Sequence, residues 1–226
     1  MTCNAGSRRR SGEPVNTHAR PTVPRLHLIT NRALCDERGQ VAIVAAAARA
    51  GVGAVQLREK DLGSSALLCE ATALKEVLGA TPLIVNGAPG VALGVGAAGV
   101  HLPGVGGTIA AARAVLGPDA LIGRSVHTLD EARHAAADGA DYLIAGTIFA
   151  TASKPGRAAA GLAFVTAVAQ AVAIPIIAIG GIAEGNVAAT LAAGAWGVAV
   201  MSGVLSAPEP DAVVWRLRAI IEKENR

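Results

Sequence analysis

The fold is decided by residues 121–156, which read LIGRSVHTLDEARHAAADGADYLIAGTIFATASKPG. The stretch begins with an apolar run, after which Thr128 and Glu131 have the spacing of a helix-capping box. A second apolar run, residues 141–145, ends at Gly146. The pattern predicts two parallel strands joined by a helix. The polar residues that follow the two strands are then expected to share one pocket, because α/β folds place their chemistry at the carboxyl ends of strands.

The same alternation extends in both directions along the chain. Strands are predicted at residues 25–30, 54–60, 81–87, 98–104, 121–126, 141–145, 174–181 and 196–203. Helices are predicted at residues 41–50, 64–78, 91–95, 108–116, 162–171, 186–193 and 212–224, with one more after Thr128. The strands are continuously apolar, which is typical of parallel strands buried on both faces. Eight strand–helix units in 226 residues predict a single (β/α)8 TIM barrel. An open dinucleotide-binding sheet is disfavoured, because no glycine fingerprint follows the first strand.

Composition and charge argue against a nucleic-acid-binding or membrane-spanning protein. Residues 1–24 contain four arginines and one glutamate, and the rest of the chain has 16 basic and 16 acidic residues. The neutral body argues against nucleic-acid binding, which needs a concentrated basic face. The 3 cysteines are scattered, which fits a reducing compartment. No apolar run is long enough to span a membrane. We therefore predict a cytoplasmic protein with a disordered extension at residues 1–24 and a barrel at residues 25–226.

A phosphate site is predicted where strands seven and eight end. Gly180 and Gly181 end predicted strand seven, and Ser202 and Gly203 end predicted strand eight. Barrels often bind phosphate between these two loops, where backbone N–H groups donate to the anion. The alternative is that the glycines only permit tight turns from strand to helix.

A second set of polar residues leaves strand two. Gln56, Arg58 and Lys60 alternate along the chain, so their side chains can point the same way. Two converging cations suit a carboxylate, phosphate or pyrophosphate. Lys154 lies in a polar loop that is able to fold over an anion. The alternative for all these residues is a solvated rim.

His127 lies just beyond strand five, close to Arg124 and Ser125. An imidazole titrates near neutral pH, so a histidine at this place is a candidate for proton transfer. A capping or structural role is the alternative. For His101, which also ends a strand, the adjacent Leu102 and Pro103 favour a structural role.

Several segments together resemble the thiamine phosphate synthase/TenI superfamily. They are VQLREK, LIVNGAPGVALGVGAAGVHLPG, the stretch from IGRSVH to TASKPG, and IPIIAIGGIAEGNVAATLAAGAWGVAVMSG. They occur in order across about residues 25–205. The resemblance implies a phosphorylated thiazole ligand and a role in thiamin (vitamin B1) biosynthesis.

Two departures distinguish the branches of this superfamily. The synthases hold Mg²⁺ with one aspartate after the asparagine of strand three and another after strand four. Here Gly87 follows Asn86, and residues 102–107 read LPGVGG. Mg²⁺ needs oxygen ligands, so the synthase reaction is expected to be disabled. The TenI branch, which needs no metal, has NG, HLP, GRSVH and VMSG at these places.

The function predicted from this resemblance is that of a thiazole tautomerase, with His127 as the acid/base. Further substrate-binding residues are expected to be Gln56, Arg58, Lys60, Asn86, Arg124, Ser125 and Lys154. Of these, Gln56, Arg58, Lys60 and Lys154 match the pyrophosphate-binding residues of the synthases. Two alternatives stay open, namely a thiamine phosphate synthase and a non-catalytic regulatory protein that binds thiazole or thiamin phosphate. We expect no metal or cofactor, except Mg²⁺ if the protein is a synthase. The expected partner is a small phosphorylated thiazole, without nucleic acid or membrane, and a homo-oligomer stays open.

Overall fold

The computed structural model describes residues 22–151, 156 and 158–224. Eight parallel strands in this part of the chain close into a barrel in the order of the sequence. The strands are β1 (Leu26–Ile29), β2 (Ala54–Leu57), β3 (Leu83–Asn86), β4 (Gly99–Leu102), β5 (Leu121–Val126), β6 (Tyr142–Gly146), β7 (Ile176–Ile179) and β8 (Gly197–Val200). The helices are α1 (Gly39–Arg49), α2 (Ser64–Leu78), α3 (Pro89–Gly94), α4 (Ile109–Leu116), α5 (Leu129–Ala137), α6 (Gly161–Ala171), α7 (Glu184–Ala192), α8 (Ser202–Leu205) and α9 (Pro210–Lys223). The predicted (β/α)8 TIM barrel is confirmed.

Six of the eight observed strands end earlier than predicted, whereas β5 ends at the predicted residue and β6 ends one residue later. Residues 58–60 and 202–203, which were predicted as strand, lie beyond β2 and β8. At β8 the chain turns into a short helix, because the N–H groups of Val204 and Leu205 bond to the carbonyl oxygen of Met201. A 3₁₀ turn at Arg32–Leu34 was also not predicted. Arg58 and Lys60 thus belong to the loop after β2, whereas Ser202 and Gly203 begin α8.

Two apolar layers hold the barrel together. Side chains that point outward pack under the helices, and Val55 and Leu57 of β2 are completely buried there. Side chains that point inward fill the barrel around Tyr142, which is also completely buried. Gly123 makes room for this ring, since a Cβ at position 123 would overlap the phenol and lie 2.6 Å from Nδ1 of His101. The interior of the barrel is therefore packed by a few large side chains beside glycines.

The first described residues close the amino-terminal end of the barrel. Trp196 Nε1 donates to the carbonyl oxygen of Val23 at 2.8 Å, and His27 Nε2 donates to that of Pro24 at 2.8 Å. Val23 is buried. Residues 1–21 lie outside the described residues, so the extension at residues 1–24 stays a prediction. No described helix is long and apolar enough to cross a membrane.

Candidate active site

Two neighbouring cavities open at the carboxyl ends of the strands. The first, which we call the mouth cavity, measures about 320 Å³ and is lined partly by Arg58, Lys60, Asn86, Ser125 and His127. The second, which we call the glycine cavity, measures about 100 Å³ and is lined partly by Thr147, Thr151, Gly180, Gly181, Ser202 and Gly203. Both cavities are lined by Ile179 and Met201. The structure thus divides most of the predicted residues between two adjoining cavities.

The loop after β7 needs its two glycines for packing. Gly180 and Gly181 have φ values of +102° and +64°, which residues with a side chain rarely adopt. A Cβ at position 180 would lie 2.5 Å from Cγ2 of Thr147, and one at position 181 would lie 2.6 Å from the carbonyl oxygen of Ala150. The glycines therefore bring the loop after β7 against the loop after β6. Because positions 180 and 181 have no side chains, their backbone atoms line the glycine cavity.

The loop after β8 supplies donors to the other side of the glycine cavity. Ser202 and Gly203 form the first turn of α8. N–H groups in a first turn have no acceptor within their own helix. These groups are therefore available to an anion in the cavity.

The cations of the mouth cavity differ in burial. Lys60 is exposed, whereas Arg58 is half-buried and its backbone N–H donates to Thr30 Oγ1 at 2.9 Å. Burial lowers the pKa of Arg58, although the nearby Glu59 carboxylate opposes this effect. Among the described residues no carboxylate forms an ion pair with its guanidinium. A partly desolvated cation without an ion-pair partner favours an anionic ligand.

Gln56 lies below the surface of the mouth cavity. Its side chain is buried, and Nε2 donates to Oδ1 of Asn86 at 3.0 Å. Asn86 itself lines the cavity. Gln56 thus fixes the orientation of the Asn86 amide, while Arg58 and Lys60 face the cavity.

His127 is anchored by two hydrogen bonds on one side of the mouth cavity. Its Nδ1 donates to the carbonyl oxygen of Gly146 at 2.5 Å, and its backbone N–H donates to the Glu131 carboxylate at 2.5 Å. A carbonyl oxygen only accepts, so the neutral ring has its proton on Nδ1 and a lone pair on Nε2. The ring therefore brings an acceptor to the site.

Arg124 holds a loop and does not line the mouth cavity. Its guanidinium donates to the carbonyl oxygens of Gly104, Gly106 and Gly107 at 3.1, 3.0 and 2.8 Å. These contacts occupy its donors and fix the chain between β4 and α4. Lys154, also predicted to bind substrate, lies outside the described residues.

The acidic residues near the mouth are engaged elsewhere. Glu59 accepts from Thr30 Oγ1 at 2.7 Å and from the backbone N–H of Arg32, and Asp61 pairs with the Arg32 guanidinium. No cluster of three or more His, Cys, Asp or Glu residues occurs in the described part of the chain. With Gly87 after β3 and residues 102–107 after β4, the donor set does not fit a carboxylate-held Mg²⁺ site.

His101 lies in the site, although a structural role was predicted for it from the sequence. Its Nε2 lies 2.8 Å from Ser125 Oγ, and it lines the mouth cavity. The residues next to His101 in the sequence offer no hydrogen-bond partner, because its partner Ser125 lies on the neighbouring strand β5. The register that pairs His101 with Gly123 brings Ser125 into range. Aligning the predicted strands four and five in parallel register would have predicted this contact.

The chain is similar to several known proteins over most of its length. A family model described as thiamine monophosphate synthase matches residues 26–204. The thiamine-phosphate synthase of Roseiflexus castenholzii is 42% identical over 190 residues, which cover 83% of this chain and 83% of that protein. That of Chloroflexus aurantiacus is 42% identical over 200 residues, which cover 87% and 92%. The solved thiamine phosphate pyrophosphorylase of Pyrococcus furiosus has a TM-score of 0.79 and 33% identity, covering 88% of this chain and 96% of that one.

These similarities correct the predicted function. The prediction of a thiazole tautomerase is wrong, because relatives that are 42% and 40% identical over most of the chain are thiamine-phosphate synthases. That prediction relied on two loop positions, Gly87 and residues 102–107, whereas the similarity extends over the whole barrel. The superfamily resemblance itself is confirmed. The chain belongs to the thiamine monophosphate synthase family.

Proposed function

We propose that the protein joins a hydroxymethylpyrimidine pyrophosphate to a thiazole phosphate, forming thiamine phosphate and pyrophosphate. The thiazole nitrogen forms a bond to the pyrimidine methylene carbon, and the C–O bond to pyrophosphate breaks. The electron pair of that bond leaves with pyrophosphate, and the substitution itself transfers no proton. The reaction therefore needs two anions held side by side and stabilisation of the leaving charge.

The observation that carries this proposal is the adjacency of the two cavities. The glycine cavity and the mouth cavity share Ile179 and Met201 as lining residues. A two-substrate reaction needs such neighbouring sites, because its reacting atoms must meet at about 3–3.5 Å. The curated relatives named thiamine-phosphate synthases support the same reaction.

We assign the thiazole phosphate to the glycine cavity. Backbone N–H groups from Gly180, Gly181, Ser202 and Gly203 are able to donate to its oxygens. The pyrophosphate belongs in the mouth cavity, where Arg58 and Lys60 supply positive charge. Charge-assisted bonds from an arginine to phosphoryl oxygens are stronger than neutral ones.

The leaving pyrophosphate is stabilised by side chains in this proposal. The donor set does not fit a carboxylate-held Mg²⁺, so cationic side chains balance the charge of the leaving group. Arg58 is the principal group, since burial has removed part of its water and no described carboxylate is paired with it. His127 keeps a place in the site through Nε2, the ring nitrogen that is not bonded to the carbonyl oxygen of Gly146.

The test is synthesis of thiamine phosphate from the two substrates, with and without added Mg²⁺, followed by chromatography. Arg58→Met should lower kcat/KM by about 10²–10³-fold, the usual effect of removing a group that stabilises developing charge. Arg133→Met is the matched control, because Arg133 lies on α5 in an exposed pair with Asp130. Absence of product from the wild-type protein would contradict the proposal.

A second candidate function is binding of thiazole phosphate without turnover. The observation that favours it is the same lack of carboxylates at Gly87 and at residues 102–107. In that case calorimetry would detect binding of thiazole phosphate, while no thiamine phosphate forms under any metal condition. Turnover at an enzymatic rate would eliminate this candidate.

A further inference from the structure

A buried histidine and a serine form a pair at the base of the mouth cavity. His101 on β4 and Ser125 on β5 both line the cavity, and His101 Nε2 lies 2.8 Å from Ser125 Oγ. His101 is only 1% exposed. None of the roles assigned to the cations of the mouth uses this pair.

Packing holds the imidazole of His101 in place. Its ring contacts the ring of Tyr142, with centroids 5.7 Å apart. The space that both rings occupy exists because residue 123 is glycine. The ring therefore has little freedom to turn away from Ser125.

The imidazole of His101 is neutral. Burial lowers its pKa to about 3, and the charges of His27, Arg124 and Arg58 act in the same direction. A neutral imidazole carries one proton, on either Nδ1 or Nε2. Which nitrogen carries it determines what Ser125 can do.

The surroundings of the ring favour this proton on Nε2. No described residue is a hydrogen-bond partner for Nδ1 of His101. A buried N–H without an acceptor is rarer in proteins than a buried acceptor without a donor. His27 in the same barrel has this arrangement, since its Nε2 donates to the carbonyl oxygen of Pro24 and its Nδ1 has no partner among the described residues.

The consequence concerns the hydroxyl proton of Ser125. If Nε2–H of His101 donates to Ser125 Oγ, the hydroxyl cannot donate back to that nitrogen. Its own proton is then available to an acceptor in the mouth cavity, where Arg58 and Lys60 also lie. A hydroxyl donor next to two cations suits a phosphoryl oxygen.

We propose that His101 is a positioning residue that fixes the hydroxyl of Ser125 as a hydrogen-bond donor to a pyrophosphate oxygen in the mouth cavity. This inference rests on the proposed function, because it requires pyrophosphate in that cavity. It adds a residue that touches no substrate and acts through another.

Binding of inorganic pyrophosphate, measured by calorimetry, tests the pair without turnover. Ser125→Ala should weaken binding by about 10-fold, the effect of removing one hydrogen bond to a charged group. His101→Met should weaken it by about 3–10-fold, and the double variant should be no weaker than Ser125→Ala, as expected for coupled residues. His101→Gln retains a donor and should restore most of the affinity. His27→Met is the matched control, because His27 is equally buried and also contacts the ring of Tyr142, and it should bind as the wild type does.

The tautomer of His101 gives a second test that needs no variant. A long-range ¹H–¹⁵N spectrum of the imidazoles should show the proton of His101 on Nε2. A proton on Nδ1 would overturn the inference, as would additive effects of the two single variants or a His101→Gln variant no better than His101→Met.

Thiamine phosphate synthesis separates the two proposals. Turnover without any effect of His101 on pyrophosphate affinity refutes only the role of His101, whereas coupled effects on affinity without turnover refute only the synthase. A wild-type protein that does not bind pyrophosphate would refute both.

Discussion

The free energy of unfolding should fall in acid, because two inward-facing histidines of the barrel are shielded from water. His27 is 0% exposed and His101 is 1% exposed. Burial is the main cause that lowers their pKa values from 6.5 to about 4 and about 3 respectively. In the folded protein both rings therefore stay neutral well below the pH at which an exposed histidine takes up a proton.

The direction of the effect follows from proton binding. Below pH 6.5 the unfolded chain binds protons at these two histidines, whereas the folded chain does not. Their contribution to the free energy of unfolding is therefore complete above pH 6.5 and falls as the pH drops below it. Because both folded pKa values lie below 5, the unfolded value sets the size of the loss. Between pH 7 and pH 5 the loss is about 2 kcal/mol for each histidine and about 4 kcal/mol for the pair.

The measurement is urea denaturation at pH 7, 6 and 5, followed by circular dichroism. Wild type is compared with His27→Gln and His101→Gln, whose side chains retain a donor but do not titrate. Each variant should lose about 2 kcal/mol less than the wild type between pH 7 and pH 5, whatever its stability at pH 7. The comparison between proteins cancels the contributions of the carboxylates and of the other histidines. If His27→Gln and the wild type lose the same free energy over this range, the burial argument is refuted.

Three further predictions concern single positions. Gly123→Ala should lower the free energy of unfolding by about 1–3 kcal/mol, because the new methyl group overlaps the ring of Tyr142; unchanged urea midpoints would contradict this. Gly181→Ala should cost about 1–2 kcal/mol at its φ of +64° and weaken binding of inorganic phosphate, as calorimetry can measure. Arg124→Ala should speed hydrogen exchange in residues 104–107, because Arg124 binds three of their carbonyl oxygens, and leave exchange in the strands unchanged.

The fold was predictable because its determinants are local. Continuous apolar runs that alternate with helical segments specify parallel strands buried on both faces, and the count of eight closes the barrel. The exact ends of strands were less predictable. Ser202 was predicted to end a strand, yet it begins a helix, because the carbonyl oxygen of Met201 accepts from the next turn. Such hydrogen bonds leave no periodic pattern in the sequence.

The shared cavity was predictable where residues lie near the carboxyl ends of strands. Ser125 lies near the end of β5, and Arg58, Lys60 and His127 lie beyond β2 and β5; all four line one cavity. The contacts of two side chains were not predicted, because they depend on strand register and on the path of a loop. His101 meets its serine partner across the sheet, and Arg124 turns toward the backbone of the loop before α4.

The wrong functional prediction followed from treating two missing carboxylates as decisive. An aspartate at position 87 or in residues 102–107 would alter how charge on the leaving group is balanced, but it would not define which substrates fit. The mouth cavity of this protein contains two cations, and its nearest acids are occupied by Thr30 and Arg32. A cavity with this charge favours an anionic ligand, whereas it repels a free metal ion. The loss of the carboxylates is thus compatible with retention of the substrates, and the similarity of the whole barrel to synthases is the stronger guide to the reaction.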